Sequence, residues 1–183
     1  TEELGQGQIG YLHLRAMGSE DIADWARDFY PVFQRQGLII DVRHNRGGNI
    51  DSWILEKLLR KAWFYWSRRT GNPYWNIQYA FRGHVVVLCN ERTASDGEAF
   101  SEGIKRLEIG KVIGTRTWGG EIWLSAQRWL VDNGMCSAAE AGVYGVRRVL
   151  SIGRRKYGIL VMGVAPGGFT RLTSVLPGFR DKE

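Results

Sequence analysis

"HVVVLCNERTASDGEAFSEGIKRL", residues 84–107, decides how this chain is built. Its first part, "HVVVLCN", is an unbroken apolar run rich in β-branched residues, the composition of a buried strand. Its last part sets Ala99, Phe100, Ile104 and Leu107 on one helical face. Ser95 therefore stands where a strand turns into a helix. Such a turn exposes a side-chain oxygen and leaves the first N–H groups of the helix without intrahelical partners. The geometry suits a nucleophile, and it equally suits a plain helix cap.

Working outward from that stretch, the pattern repeats. "GQIGYLHLRAM" alternates apolar and other residues and reads as a strand. "EDIADWARDFYPVFQRQ" follows with Ile22, Trp25, Phe29 and Phe33 at helical spacing, and Pro31 predicts a kink or break inside it. "GLIIDVRHN" is a second strand, "RGGN" a turn, and "IDSWILEKLLRKAWFYW" a second helix. "SRRTGNPYWN" is a loop and "IQYAF" a further strand. Downstream, "KVIGTRT" is a short strand, "WGGE" a turn, and "IWLSAQRWLVD" a strand pair or one long strand. Strands alternating with helices predict an α/β fold around a largely parallel sheet.

The 183 residues suffice for a sizeable core, and 44% hydrophobic with 24% charged residues is ordinary for a globular chain. No apolar run reaches the length of a membrane span. The start, "TEELGQGQIGYLHL", is acidic, lacks a charged-then-apolar leader pattern and has no Met, so it reads as a fragment or trimmed chain. A cytoplasmic setting is expected. Cys89 lies in an apolar run and reads as a core residue, and with Cys136 it makes no metal or disulfide pattern. No His/Cys/Asp/Glu cluster has metal spacing, so neither metal nor other cofactor is expected.

The net charge of +6 is local. Between Ala141 and Arg180 there is no acidic residue, while Arg147, Arg148, Arg154, Arg155, Lys156, Arg171 and Arg180 are basic, which leaves −1 on the rest of the chain. This stretch reads either as a basic arm for an acidic partner or as a divergent or misread C-terminus. It carries no recognisable nucleic-acid motif, so no nucleic-acid partner is expected. Among eight tryptophans, Trp53, Trp63 and Trp66 fall on or near the second helix and read as core or interface packing, with "WFYW" at 63–66 a candidate oligomer contact.

Two glycine turns stand out besides Ser95. "DVRHNRGGN", residues 41–49, places two glycines after a strand end, where backbone N–H groups can face a phosphate or the oxyanion of an acyl transfer. The same residues suit a tight strand-to-helix turn with Asn49 as cap. The Lys-Ser/Thr pair of a phosphate loop is missing. "GTRTWGGE", residues 114–121, is a second such turn.

Taken together and in order, "LIIDVRHNRGGN", "VVVLCNERTASDGEAF" and "KVIGTRTWGGEIWL" resemble the tricorn-type serine peptidases, part of the wider C-terminal processing (tail-specific) peptidase family, S41. The resemblance runs from about Gly10 to about Gly145. It implies a ClpP/crotonase-like fold of repeated strand-strand-helix units, with residues 1–145 as the peptidase core domain and 146–183 as a divergent basic segment. It implies that Ser95 is the nucleophile, that the N–H groups of Gly48 and Asp96 form the oxyanion hole, and that the enzyme is a large homo-oligomer acting on peptides without a cofactor.

The processing branch uses a Ser-Lys dyad whose lysine lies in the turn reading "RTWGGE" here. Gly119 and Gly120 stand there, and Lys111 is too early, so the tricorn branch fits better. That branch takes its histidine from a Ser-His pair ahead of a PDZ-like domain, both upstream of the matching segment. Of the local histidines, His13 and His84 read as structural residues, and His44, close to the glycine turn, is the candidate base. The branch also supplies a glutamate after a "GVYG"-like segment. Here "GVYG" at 142–145 is followed by no acid, and "GVAP" at 163–166 leads to Gly167 where an acid is expected. A shifted reading frame near Val146 accounts for both departures. Two other readings stand beside the peptidase: a catalytically incomplete peptide-binding or assembly module, and a crotonase-fold enzyme acting on acyl-thioesters.

Overall fold

The computed structural model describes residues 3–124, 130–134 and 139–142. The basic segment 146–183, with "GVAP" and the acid-free tail, lies outside the described residues. The elements in chain order are β1 (Ile9–His13), α1 (Asp21–Phe29), β2 (Gly37–Asp41), α2 (Asp51–Leu59), β3 (Tyr65–Trp66), β4 (Tyr74–Trp75), β5 (His84–Cys89), α3 (Asp96–Arg106), β6 (Gly110–Gly114), β7 (Ile122–Leu124) and β8 (Ala139–Gly142).

Four strands make the central sheet in the order β1-β2-β5-β6, every pair parallel. The α/β architecture follows the alternation in the sequence. Because strand order rises in one direction, right-handed crossovers carry every connecting helix to the same face. The core agrees: Trp25 and Phe29 of α1, Ile54, Leu55 and Leu58 of α2, and Phe100 and Ile104 of α3 join Leu12, Leu38, Ile40, Val85, Val87 and Val112 from alternate sheet positions. On the other face Tyr11 and Ile113 are 41% and 51% exposed, and Ile39, Val86 and Leu88 are half-buried.

Helix α1 stops at Phe29, two residues before Pro31, which has no N–H to continue the ladder. Trp25 and Phe29, one turn apart, stack with ring centroids 4.8 Å apart. The second helix is shorter than its apolar pattern suggests. It ends at Leu59, and Arg60 is extended. Trp63 and Trp66 thus leave the helix. The run of aromatic residues favours strand, and Asn76 Oδ1 accepts the N–H groups of Trp63 and Phe64 at 3.2 and 3.3 Å. Antiparallel β3 and β4 then pair Tyr65 with Trp75 and Trp66 with Tyr74. Trp53 stays on α2, partly buried against the core.

"IQYAF" is not a strand. Tyr79 takes φ +59° and packs its ring on Tyr30 and Phe33, with centroids 4.7 and 5.2 Å away, so an aromatic cluster overrides the β-propensity of the segment. In "IWLSAQRWLVD" only β7 is a strand among the described residues, and it pairs antiparallel with the later β8.

Candidate active site

The site is built where β2 and β5 end, on neighbouring strands of the sheet. The loop from Cys89 to Ser95 is fixed by short polar side chains. Thr93, fully buried, donates its hydroxyl to the Val42 carbonyl at 2.8 Å and accepts the Asn90 N–H at 3.0 Å. The Ala94 N–H donates to the Asn45 carbonyl at 3.0 Å. Asn45, also fully buried, donates its amide to the Leu14 carbonyl at 2.7 Å and accepts the Gly47 N–H at 2.8 Å. One residue therefore joins the end of β1 and the "RGGN" turn through its side chain and the serine loop through its carbonyl. Gly97 makes room for it, since a Cβ there would lie 2.9 Å from Asn45 Oδ1.

Ser95 is the N-cap of α3 and takes φ +51°, ψ −122°, a conformation that side-chain-bearing residues rarely hold. Strain of about 1–3 kcal/mol persists only where the surroundings over-determine it. Here they do: the Ser95 N–H donates to Glu98 Oε2 at 3.1 Å, and Glu98 and Ala99 donate their N–H groups to the Ser95 carbonyl.

The glycine turn lies against this elbow. A Cβ on Gly47 (φ +89°) would meet Ser95 Cβ at 2.6 Å and Oγ at 3.0 Å, and would sit 3.4 Å from the Asp96 nitrogen. A Cβ on Gly48 would lie 1.9 Å from the Met17 carbonyl oxygen. Met17 holds the turn from the far side, donating to the Gly47 carbonyl at 2.8 Å and accepting from Asn49 and Ile50. Among the described residues neither the Gly48 N–H nor the Asp96 N–H donates to a protein acceptor. The Asp96 N–H follows Ser95 directly, and the Gly48 N–H belongs to the same turn that packs Gly47 against Ser95.

Peptidase family S41 matches residues 8–158. The chain belongs to peptidase family S41. It is 37% identical over 161 residues to the tricorn protease of Thermoplasma acidophilum, covering 87% of this chain and 15% of that protein. It is 38% identical over 143 residues to the tricorn protease homolog of Saccharolobus solfataricus, covering 78% of this chain and 13% of that one. Among solved structures, the tricorn protease superposes with a TM-score of 0.68 at 39% identity, over 72% of this chain and 13% of that chain. The chain thus spans only a small part of the length of these relatives.

Within this S41 chain the histidines are dispersed. His84 opens β5, at the end of the strand away from Ser95, roughly 17–20 Å off at about 3.3 Å per residue. His13 lies two strands across, on the opposite sheet face from the core, with Nε2 3.3 Å from the Arg43 carbonyl oxygen. His44 belongs to the glycine turn. It is exposed, holds φ +63°, and donates its backbone N–H to Asn90 Oδ1 at 3.0 Å. Among the described residues no hydrogen bond joins it to Ser95.

What the sequence reading missed is a set of buried carboxyl groups. Asp96 Oδ2 accepts the N–H groups of both Ile50 and Asp51 at 2.9 Å and so caps α2, the role expected of Asn49. Burial, and then the charge of Asp51, push the Asp96 carboxyl up to about 7. Glu98 is fully buried and accepts four donors: the Thr117 hydroxyl at 2.7 Å, the Gly119 and Gly120 N–H groups at 2.5 and 3.2 Å, and the Ser95 N–H. Burial raises its pKa above the usual value while those donors oppose the rise. Burial and the nearby charges of Glu98, Asp51 and Asp96 push Glu121 up to about 8, and its Oε2 is buried without a partner among the described residues. Asp96, Glu98 and Glu121 all stand inside the quoted motifs, one to three residues from a glycine or from Ser95, which marks their place but not their partners.

Proposed function

We propose that this chain carries the nucleophile and oxyanion hole of a serine peptidase that cleaves peptides through an acyl-enzyme on Ser95. The observation that carries the reading is the strained Ser95 elbow with the Gly47 backbone against its side chain, where the Asp96 N–H and the N–H of the neighbouring Gly48 donate to no acceptor among the described residues. In the first step Ser95 Oγ forms a bond to the peptide carbonyl carbon as its proton passes to a base. The carbonyl oxygen becomes an oxyanion facing the Gly48 and Asp96 N–H groups, each such donor being worth about 3–4 kcal/mol in acyl-transfer sites. The C–N bond then breaks, the amine leaves with the proton, and water resolves the ester. His44 is the candidate base within the described residues; a histidine from elsewhere in the assembled enzyme is the alternative source.

The same reading makes the enzyme a cytoplasmic homo-oligomer. Its support for assembly is the exposed aromatic face of β3–β4, where Trp63, Tyr65 and Trp66 are 77%, 58% and 54% exposed. No helix among the described residues is long and apolar enough to cross a membrane.

Fluorophosphonate labelling with the adduct located by mass spectrometry tests the assignment. An adduct on Ser95 that disappears in Ser95→Ala supports it. Thioester turnover without labelling would favour the acyl-thioester reading, and peptide binding that survives Ser95→Ala without hydrolysis would favour a binding module.

A further inference from the structure

The Glu98 carboxylate ties the Ser95 elbow to the turn that follows β6. Its Oε2 takes the N–H of Ser95 and the N–H of Gly120; its Oε1 takes the hydroxyl of Thr117 and the N–H of Gly119. Each oxygen therefore carries two donors, which uses every acceptor position of a carboxylate and leaves none for a proton. Three of those donors belong to the turn that leads out of the central sheet into β7. The fourth is the backbone of the nucleophile, at a residue held in a sparsely populated conformation. The Trp118 N–H adds a parallel link to the Thr93 carbonyl at 3.0 Å, on the loop that precedes Ser95.

We propose that Glu98 is a positioning residue for Ser95, and that it transmits the placement of the 117–120 turn to the nucleophile. The proposal rests on the peptidase reading given above. A helix-capping glutamate needs only its own N-cap N–H. Glu98 spends one of four acceptor positions there, and the other three on a turn 19 to 22 residues further along. If the turn shifts, the carboxylate must shift with it or lose partners while fully buried, where an unmade bond costs most. The Ser95 N–H follows the carboxylate. The elbow is therefore set from two sides, by Gly47 on the β2 side and by the 117–120 turn on the β6 side. Glu121, next along that turn, has its pKa pushed up to about 8, first by burial and then by the charges of Glu98, Asp51 and Asp96.

The test uses the full chain in four forms: wild type, Glu98→Gln, Thr117→Val and the double variant. Glu98→Gln keeps the shape but turns one oxygen into an NH2, which must face two donors. The first readout is the amide NMR signals of Ser95, Gly119 and Gly120. All three should move in Glu98→Gln, and the Ser95 signal should also move in Thr117→Val, although among the described residues no hydrogen bond joins Thr117 to Ser95. The β1 amides report that the fold persists. The second readout is the rate at which fluorophosphonate labels Ser95, expected to fall about 10–100-fold in Glu98→Gln, the scale of a small misplacement of a reacting group. The two variants should be non-additive, because they break one network. An unmoved Ser95 amide in both single variants, or wild-type labelling in Glu98→Gln, overturns the proposal. Failure of the wild type to label overturns a base within this chain, His44 included, and the amide shifts then still decide the link between Glu98 and Ser95.

Discussion

Asp96 caps the helix that starts beyond the glycine turn: its Oδ2 accepts the Ile50 N–H at 2.9 Å, 46 residues away in sequence. One residue thus joins the serine elbow, through its backbone, to the start of the helix that follows the glycine turn, through its side chain. Replacing it separates these roles. Asp96→Ala keeps the N–H but leaves the Asp51 N–H without its acceptor and the Ile50 N–H with only its 3.2 Å bond to the Met17 carbonyl, at a cost of about 1–3 kcal/mol. Chemical denaturation should show that loss. Fluorophosphonate labelling of the still-folded protein should also slow, because α2 and Gly48 lose their tie to Ser95. Labelling at the wild-type rate would mean that the Gly48 donor is held by Met17 alone.

Gly47 has no room for a side chain. An alanine there would place its Cβ 2.6 Å from Ser95 Cβ, at φ +89°, where an L-residue is strained in any case. The expected result for Gly47→Ala is a folded protein destabilised by about 1–3 kcal/mol whose Ser95 no longer labels. A melting curve and a labelling time course on one sample check both. Unchanged labelling would show that the turn yields and does not define the elbow.

The sheet, its helices and the Ser95 elbow were legible because they rest on local signals: apolar runs, helical spacing and glycine pairs. The misreadings share a cause of another kind. The second helix was extended to Trp66 because apolar residues continue past Leu59, yet the Asn76 side chain, ten or more residues away, captures the N–H groups of Trp63 and Phe64. "IQYAF" has strand composition, but Tyr79 is drawn to Tyr30 and Phe33. The carboxyl network escaped for the same reason. Nothing local to Glu98 says that its partners are Thr117, Gly119 and Gly120, and nothing local to Asn49 says that the cap comes from Asp96.

The exposed tryptophans can be tested apart from the site. Trp63 and Trp66 contribute little to the core, so Trp63→Ser with Trp66→Ser should change stability by only about 0.5 kcal/mol each. If β3–β4 is the contact between copies, light scattering should show a smaller assembly for the double variant at equal protein concentration. An unchanged mass would remove this face from the oligomer contact.

The buried carboxyls set a pH dependence whose sign runs against ordinary acid unfolding. In the folded chain Asp96 titrates at about 7 against 3.8 for a free aspartate, and Glu121 at about 8 against 4.5 for a free glutamate. Between those limits the folded state holds protons that the unfolded state has released. Stability therefore falls as pH rises through the window from about 4 to about 8, and levels off above it. Asp41 acts in the opposite sense at lower pH: burial works against it, but the Arg43 side chain and backbone and the Tyr11 hydroxyl hold its pKa below the usual value. Glu121→Gln removes one of the two high titrations without adding charge. Its melting temperature should match wild type near pH 5 and exceed it near pH 8, because the wild type must then either bury a second negative charge beside Glu98 or keep a proton that solvent would take. Parallel melting curves for the two proteins across that range, offset by a constant, would mean that Glu121 titrates as a solvated carboxylate.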